Sequence, residues 1–295
     1  MSNFISYCLN LDPSNCQRPE NPYGTRYCQS CESKLLLKDR YCATKLLGQG
    51  AFGRTFLAMD EHNKARCVIK QLLTQHQGNQ KVKELFEREA QQLAKLGDHP
   101  QIPYQFDYIE QGLEKLNQPA NVSSEKYLYI VQEFIEGQDL KDELAQQGAF
   151  NERQIREFLK DMLPVLKFIH DKNVIHRDIK PPNIMRRKSD GKVVLIDFGG
   201  VKEFTQTNVG KTGTRLYTPG YASNEQMRGK VYPASDLYSL GATCIHLLMG
   251  IAPNDIYDAL EDRLLWRESL EQRRITISPH LEQVLYKLLK NLALP

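Results

Sequence analysis

The 295-residue sequence lacks a long hydrophobic run and an excess of charge of one sign. Its longest apolar stretch, residues 241–252, contains His246 and falls short of the ~18 apolar residues of a membrane-spanning helix. The formal net charge of +3 argues against a dedicated nucleic-acid binder. Residues 1–11 carry no basic leader followed by an apolar run, so we expect no secretory signal peptide and a cytoplasmic protein.

The seven cysteines are unevenly distributed, with Cys8, Cys16, Cys28 and Cys31 close to the N-terminus and three others scattered. Their odd number and the missing signal peptide count against a disulfide scaffold. Cys28-Gln29-Ser30-Cys31 is typical of a zinc knuckle, whereas the spacings of seven and eleven residues before it are looser than usual. We favour a structural zinc site, and a redox-responsive thiol cluster or free cysteines stay open as alternatives.

The chain changes character after its first 35 residues. Residues 1–35 are rich in Asn, Pro, Ser, Gly and Cys and show no apolar periodicity, which suggests a small separate unit. From Tyr41 the sequence alternates short strand-like runs with turns, and after Gly137 it turns mainly helical. This order predicts an α+β fold with two lobes. The predicted helices cover 81–96, 139–147, 152–171, 236–249 and 281–292, a strand covers 127–134, and the polar stretch 111–126 is expected to be a loop.

Two short motifs in the second half carry the strongest chemical signal. They are His176-Arg177-Asp178-Ile179-Lys180-Pro181-Pro182-Asn183 and Asp197-Phe198-Gly199. Transfer of a phosphoryl group from a magnesium nucleotide to a hydroxyl needs this set of side chains. Asp178 can accept the hydroxyl proton, and Lys180 can contact the transferring phosphate. Asn183 and Asp197 can bind magnesium, and we assign His176 a structural role.

A glycine-rich pattern lies near the start of the strand-rich part, with Gly48, Gly50 and Gly53 in the spacing G-x-G-x-x-G. Dinucleotide-dependent oxidoreductases share this pattern, but there a helix begins at the glycines, whereas residues 54–59 have a strand pattern. A glycine hairpin would let backbone amides approach phosphates closely. Lys70 on the next predicted strand and Glu89 on the following helix then suit a phosphate-binding ion pair, and the oxidoreductase is the weakest alternative.

From Tyr41 onward the sequence resembles the eukaryotic-type (Hanks-type) serine/threonine protein kinases, because these motifs occur in the family's order. The residues of these motifs, together with the four N-terminal cysteines, are similar to those of cyanobacterial kinases. The resemblance implies a two-lobed protein-kinase fold. A small β-rich N-lobe with helix C would cover about 41–135 and a large, mainly helical C-lobe about 136–295, preceded by the cysteine-rich segment 1–35. It also implies ATP and magnesium as cofactors and proteins as substrates, without nucleic acid, and it leaves the oligomeric state open.

The resemblance also assigns roles to further residues. Lys70 and Glu89 would position the phosphates, and residues 133–135 would bind adenine through backbone groups, with Gln132 as gatekeeper. The side chains implied around the nucleotide are Thr55, Val68, Glu133, Ile135, Asp139 and Met185. Lys180 is the serine/threonine-kinase choice at its position, and Thr218 matches the threonine that contacts the catalytic base and this lysine.

Regulation and the end of the chain are less regular. Thr214 stands where many relatives carry an activating phosphate, and Thr212 is a second candidate. The sequence stops at Pro295, before the family's last helix and the arginine that usually pairs with Glu225, so we expect a shortened piece of a longer protein. Glu225 would then lack a partner or pair with Arg273 or Arg274. A pseudokinase or scaffold that binds nucleotide without turnover is the alternative to an active kinase.

Overall fold

The structure is a computed structural model, and it describes residues 5–10, 16–50, 53–73, 80–112, 114–116, 126–198, 218–258, 260–261 and 263–290. The chain divides into two compact units. The β-rich unit comprises Met1–Gly97 and Pro103–Phe134, and the helical unit comprises Asp98–Ile102 and Ile135–Pro295. A strand-rich unit followed by a helix-rich unit confirms the predicted α+β class.

The β-rich unit is built on one antiparallel sheet with the strand order β3-β4-β5-β6-β8-β7. Its elements are β1 (Ile5–Tyr7), β2 (Glu20–Pro22), β3 (Leu36–Leu37), β4 (Tyr41–Gln49), β5 (Gly53–Asp60), β6 (Ala65–Leu72), α1 (Gln80–Leu96), β7 (Gln105–Gly112) and β8 (Lys126–Glu133). Strand β7 includes Gln111 and Gly112, so the prediction of a loop from residue 111 was wrong there. Strand β7 lies at the edge of the sheet, and most of its side chains are polar or partly exposed. Its hydrophobic pattern in the sequence is therefore weak.

One face of this sheet covers the core of the β-rich unit. Side chains alternate between the two faces of a strand. On β6, Cys67 and Ile69 therefore point into this core, together with Phe56 and Tyr129 from neighbouring strands. Lys70 lies on the opposite face of β6, where it meets α1.

The cysteine-rich segment packs against the same sheet. Strands β1 and β2 pair antiparallel, and β1 lies against β4. The ring of Tyr7 is 5.4 Å from that of Phe56, and Leu9 is buried among the core residues of the sheet. Residues 1–35 and the sheet thus belong to one compact unit, because the segment contributes apolar side chains to a shared core.

The helical unit combines packed helices with a small sheet of order β11-β10-β9. Its elements are β9 (Gly137–Asp139), α2 (Leu140–Gln147), α3 (Glu152–Asp171), a 3-10 turn (Pro181–Asn183), β10 (Ile184–Arg187), β11 (Val193–Leu195), α4 (Asn224–Met227), α5 (Pro233–Met249), a second 3-10 turn (Pro253–Ile256), β12 (Tyr257–Asp258), β13 (Arg263–Leu264), α6 (Trp266–Gln272) and α7 (Pro279–Leu288). Asn151 and Gln154 form a reciprocal cap that fixes the start of α3. Among the described residues, none of the helices combines the length and the apolar character needed to cross a membrane.

Candidate active site

In the β-rich unit, the structure brings together the lysine and the glutamate predicted to act as a pair. Lys70 Nζ on β6 lies 2.7 Å from Glu89 Oε1 on α1. The side chain of Glu89 is 4% exposed and that of Lys70 is 15% exposed. A buried carboxylate in this position depends on its cationic partner, because removing one member leaves an uncompensated charge.

The other nucleotide residues predicted for this unit lie beside Lys70. Gly48 on β4 is opposite Thr55 on β5, and Thr55 is opposite Lys70 on β6. Directly opposed residues share one face of a sheet. Val68 lies two residues before Lys70 and so points the same way. The four predicted residues therefore line one patch of the sheet face that carries Lys70.

The glycines of the hairpin between β4 and β5 have different structural roles. Gly50 N–H donates to the Gly53 carbonyl at 2.9 Å, which closes the turn. A Cβ at Gly53 would lie 2.7 Å from the Gln71 carbonyl oxygen, so the close approach of β6 requires glycine there. A Cβ at Gly48 or Gly50 would meet no described atom within 4 Å. Glycine at these two positions leaves open space beside the backbone, as the phosphate hypothesis needs.

In the helical unit, the catalytic-loop residues form one hydrogen-bonded cluster around Asp178. Thr218 Oγ1 donates to Asp178 Oδ1 at 2.8 Å, and Asn183 Nδ2 donates to Asp178 Oδ2 at 2.6 Å. Lys180 Nζ lies 3.1 Å from Asp178 Oδ2 and donates to Thr218 Oγ1 at 2.9 Å. Asp178 is only 7% exposed. The cluster fixes the orientation of a carboxylate whose surroundings are largely dry.

A second carboxylate, Asp236 at the start of α5, holds the backbone before Asp178. It is fully buried and accepts hydrogen bonds from the N–H groups of His176 and Arg177 at 2.9 and 2.8 Å. The His170 ring nitrogen Nε2 lies 2.8 Å from the same carboxylate. From the other side, Gln226 Nε2 donates to the Arg177 carbonyl at 2.7 Å. The backbone of Arg177 is therefore held at both its N–H and its carbonyl group, and Asp236 ties down this loop.

The loop that carries Asp178 and the loop that carries Asp197 each contain a residue with backbone in the left-handed region. These residues are Arg177, with φ +72°, and Asp197, with φ +62°. Such backbone costs ~1–3 kcal/mol per residue and persists where the surroundings impose it. Burial lowers the pKa of His176, so its ring is neutral at pH 7 and donates from Nε2 to the Ile196 carbonyl at 3.0 Å. The ring also packs edge-on against Phe198. His176 thus links the two loops structurally.

The residues expected to hold magnesium are adjacent. Ile196 N–H donates to the Asn183 carbonyl at 2.9 Å, which places Asp197 next to the 3-10 turn of Asn183. Asn183 Nδ2 bonds the backbone and side chain of Asp178, and within the described residues Asn183 Oδ1 accepts no hydrogen bond. An amide oxygen and a carboxylate are the oxygen ligands that Mg²⁺ prefers, so the donor set fits this ion.

The remaining predicted nucleotide residues occupy defined places. Glu133 ends β8, and its N–H donates to the Tyr104 carbonyl, which leaves its carbonyl group as the candidate adenine contact. Ile135, two residues after Glu133, is buried. Asp139 accepts from Asp142 N–H as the N-cap of α2, so its carboxylate has a structural task. Met185 on β10 is opposite Asp139.

Glu225 is 1% exposed, and Ser235 Oγ donates to its Oε1 at 2.8 Å. Among the described residues, its Oε2 has no hydrogen-bond partner, and neither Arg273 nor Arg274 pairs with it. Both arginines are exposed just beyond α6, whereas Glu225 is buried. The predicted pairing of Glu225 with Arg273 or Arg274 is therefore wrong for the described part of the chain. Thr212, Thr214 and Gly199 lie outside the described residues.

The four N-terminal cysteines converge. Their Sγ atoms all lie within 4.8 Å of one another, with Cys8 and Cys31 3.6 Å apart and Cys16 and Cys28 3.7 Å apart. A tetrahedral zinc ion with Zn–S bonds of about 2.3 Å has sulfur–sulfur edges of about 3.8 Å. Four thiols brought to this separation fit the coordination shell of one zinc ion.

The four thiols are not equivalent. Burial raises the pKa of Cys8, and burial with hydrogen bonding to Cys31 and Cys28 raises the pKa of Cys16 to about 12. For Cys31, burial acts in the same direction, but hydrogen bonds from the side chain and backbone of Ser33 outweigh it and lower the pKa to about 7. Because the thiolate is the form of cysteine that binds metals, the lowered pKa of Cys31 favours its ligand form.

Comparison with known proteins assigns this arrangement to a family. Residues 41–292 match the model of the protein kinase domain. The chain belongs to the protein kinase family. The chain is 38% identical to serine/threonine-protein kinase B of Synechocystis over 97% of its own length and 49% of that relative. It is 43% identical to serine/threonine-protein kinase F of Synechocystis over 82% of its length and 50% of that relative.

These relatives confirm the resemblance to cyanobacterial kinases, and the chain spans about half the length of the curated relatives it matches. Among solved structures it is similar to the apo form of PpkA-294, with a TM-score of 0.67 at 24% identity over 85% of this chain and 90% of that one. This likeness confirms the protein-kinase fold.

Two residues that support the site were missed in the sequence. Gln226 holds the Arg177 carbonyl, and Gln71 beside Lys70 is bonded to the cysteine-rich segment. Neither belongs to a motif, and each acts through a contact between residues distant in the sequence. The only sequence signal is a second polar residue directly after Lys70 in the run Val68-Ile69-Lys70-Gln71-Leu72-Leu73, whose other members are apolar.

Proposed function

We propose that this chain is an ATP-dependent serine/threonine protein kinase, with the kinase domain over 41–295 and the cysteine-rich segment 1–35 before it. The observation that carries the proposal is the cluster in which Thr218, Asn183 and Lys180 all contact the carboxylate of Asp178. Two of the relatives are named serine/threonine-protein kinases. Protein substrates and a cytoplasmic location, without nucleic acid, are parts of the same proposal.

In the proposed reaction, a serine or threonine hydroxyl of the substrate attacks the γ-phosphorus of ATP. The bond from this phosphorus to the bridging oxygen breaks, ADP leaves with that oxygen, and Asp178 accepts the hydroxyl proton. Thr218 and Asn183 hold one carboxylate oxygen each, so the base is oriented before substrate arrives. Lys180, which already contacts Asp178 and Thr218, would neutralise charge on the transferred phosphoryl group.

The roles proposed for nucleotide binding are assigned within each compact unit by itself. Lys70, oriented by Glu89, would contact the phosphates, and Gly48 and Gly50 would offer backbone amides. Asn183 and Asp197 would hold magnesium, which supplies neutralisation of the phosphate oxygens when it is bound.

The test is a phosphate-transfer assay with a mixed serine/threonine protein substrate and labelled ATP. Asp178→Asn should lower the rate ~100- to ~10,000-fold, because general-base catalysis is lost. Lys70→Ala should also abolish most transfer. Asp171→Asn and Lys64→Ala are matched controls, since both side chains are more than 60% exposed and form only short-range surface pairs. A wild-type chain that binds ATP but transfers no phosphate would instead support a nucleotide-binding scaffold.

We further propose regulation by phosphorylation at Thr214 or Thr212. The support is their place in the sequence between Asp197-Phe198-Gly199 and Glu225. Mass spectrometry before and after incubation with magnesium-ATP would show whether phosphate is added there. Unchanged activity of a Thr212→Ala, Thr214→Ala double variant would overturn this part of the proposal.

We also propose that Cys8, Cys16, Cys28 and Cys31 bind one structural zinc ion. The convergence of their sulfur atoms within 4.8 Å supports it. Metal counting on protein purified without chelator should give one zinc per chain. Protein without zinc, in which peptide mapping finds Cys8–Cys31 and Cys16–Cys28 disulfides that form and reduce reversibly, would favour the redox cluster.

A further inference from the structure

The segment that follows Cys8 joins the four-cysteine cluster to the core of the β-rich unit. Asn10 stays close to the cluster, with its N–H 3.5 Å from Cys8 Sγ and its Nδ2 3.5 Å from Ser33 Oγ. Leu9, between them, is 4% exposed and packs in the core cluster that contains Ile69 of β6. A cysteine ligand is thus one residue away from a side chain buried against the central sheet.

The carbonyl of Leu9 is the acceptor for a buried glutamine. Gln71 on β6 has no exposed surface, and its Nε2 donates to Leu9 O at 2.7 Å. The same nitrogen lies 3.4 Å from Tyr129 Oη, and Gln71 Oε1 accepts no hydrogen bond from the described residues. A primary amide in an apolar core is unfavourable unless its polar groups are bonded. The Leu9 carbonyl is therefore the main polar partner that holds Gln71 in place.

Gln71 directly follows Lys70, and the alternation of a strand puts their side chains on opposite faces of β6. On one face Gln71 is bonded to the chain leaving Cys8, and on the other Lys70 is bonded to Glu89 at 2.7 Å. A shift of this short stretch of β6 would alter both contacts. The strand is thus a physical link between the cysteine cluster and the catalytic ion pair, all within one compact unit.

A second attachment ties the knuckle half of the cluster to the same unit. Lys34 N–H donates to the Glu114 carbonyl at 2.8 Å, and Leu116 N–H donates to the Glu32 carbonyl at 3.1 Å. Lys34 Nζ also pairs with the Glu114 carboxylate at 2.8 Å. The chain around Cys28 and Cys31 is thus bonded to residues 114–116 after β7, and the chain that follows Cys8 is bonded to β6. The cysteine cluster is attached to the β-rich unit at both places.

We propose that Gln71 is a positioning residue that couples metal binding at the four cysteines to Lys70. The inference rests on the proposed zinc site and on the proposed nucleotide role of Lys70. A metal that holds Cys8 fixes the Leu9 carbonyl, which keeps Gln71 bonded and β6 in the position where Lys70 meets Glu89. Without the metal, Cys8 and Leu9 are released and β6 loses its anchor on that face.

The coupling predicts a reciprocal effect on two affinities. If zinc tightens nucleotide binding by some factor, nucleotide must tighten zinc binding by the same factor. The zinc dissociation constant is measured by competition with a chromophoric chelator, with and without saturating MgADP, and that of MgADP by calorimetry, with and without zinc. We expect about fivefold or more in both, the lower end of measured couplings. Amide hydrogen exchange over residues 67–72 should slow when zinc is added.

Gln71→Met tests the residue itself, because it keeps the length and apolar contacts of the side chain and removes the amide. This variant should still bind one zinc ion, with the coupling factor reduced to near one. Gln101→Met is the matched control. Gln101 Nε2 donates to the Val193 carbonyl at 2.9 Å in the helical unit, so the control loses the same kind of bond away from the cysteine cluster and should keep the wild-type factor.

The possible outcomes separate the two proposals. A wild-type chain that binds no zinc overturns the metal site and the coupling together. Zinc bound with unchanged MgADP affinity overturns the coupling alone, as does a Gln71→Met variant with the wild-type factor. If Gln71→Met does not fold, the two wild-type affinities and the exchange over residues 67–72 still decide.

Discussion

The cluster around Asp178 and the cluster of four cysteines differ in what holds them together. In the first, every side chain is bonded to another: Thr218 and Asn183 donate to Asp178, and Lys180 bridges Asp178 and Thr218. In the second, four sulfur atoms approach within 4.8 Å although thiols are weak donors and acceptors. The catalytic cluster is held by hydrogen bonds between its own side chains, whereas the four cysteines form a group that could hold a metal ion.

This difference separates two ways of ordering a polar site. The catalytic loop owes its geometry to the buried carboxylate of Asp236, which accepts the backbone N–H groups of His176 and Arg177, and to the side chains bonded to Asp178. The cysteine-rich segment has few apolar side chains and gains order from Leu9 and the thiols. The stability of the cysteine-rich segment should therefore depend on whether zinc is present in the solution, whereas the stability of the catalytic loop should not.

Removal of zinc should give the largest effect. Chelation or Cys28→Ser should unfold the cysteine-rich segment, because structural zinc contributes ~10 kcal/mol or more to folding in small metal-binding units. Hydrogen exchange should then accelerate over residues 16–37 and remain unchanged over α3 and α5. Cys67→Ser, a buried cysteine of the same unit outside the cluster, is the control and should keep its zinc. Equal protection of residues 16–37 with and without metal would contradict the comparison.

Loss of the Asp236 carboxylate should have an intermediate effect. Asp236→Asn replaces an acceptor of the His176 and Arg177 N–H groups by an amide that cannot accept from both in the same way. Buried donors left unbonded cost ~1–3 kcal/mol each, so we expect ~2–4 kcal/mol of lost stability together with a large loss of activity.

Chemical denaturation and the phosphate-transfer assay measure both effects on Asp236→Asn. Asp258→Asn is the control, because Asp258 caps a short turn away from the catalytic loop by accepting from the N–H groups of Leu260 and Glu261. A variant with unchanged stability and normal turnover would show that the loop does not depend on Asp236.

The sequence predicts the catalytic side of this comparison well. Asp178, Lys180 and Asn183 stand close together in one motif, the family resemblance adds Thr218, and the structure brings these four residues into contact. The strands β4 to β6 and the helices α1, α2 and α3 follow from their hydrophobic patterns within a few residues. Local patterns suffice where each element has one apolar face.

The parts that escaped prediction depend on contacts between distant residues. Strand β7 is a polar edge strand, and its place is set by pairing with β8 rather than by its own pattern. The bond from Gln71 to Leu9 joins residues far apart in the chain, and no spacing rule relates them. The packing of the described part of residues 1–35 on the sheet likewise follows from Leu9 and Tyr7, two apolar side chains in a mostly polar segment.

The smallest effect concerns an ion pair that the β-rich unit forms without any ligand. Arg40 donates two hydrogen bonds to Asp60, at 2.9 and 2.7 Å, and Asp60 also accepts from His62 N–H. The hydrogen bonds from Arg40 lower the pKa of Asp60 to about 2. Because the folded pKa lies below the unfolded value of about 4, this stabilisation is present above pH 4 and disappears as the pH falls toward 2.

Asp60→Asn should therefore lower the free energy of unfolding by ~1–2 kcal/mol at pH 7, with allowance for screening at the partly exposed Arg40. The difference between variant and wild type should shrink between pH 4 and pH 2 in denaturation experiments with zinc present. Asp39→Asn is the control, since its side chain is 69% exposed and its partner Lys34 keeps a second carboxylate, Glu114. A constant difference across this pH range would mean that Asp60 acts through packing. If Asp60→Asn lowered the free energy of unfolding only in zinc-free protein, the Arg40–Asp60 pair would depend on the metal. The contrast between the two kinds of site would then not extend to the β-rich unit.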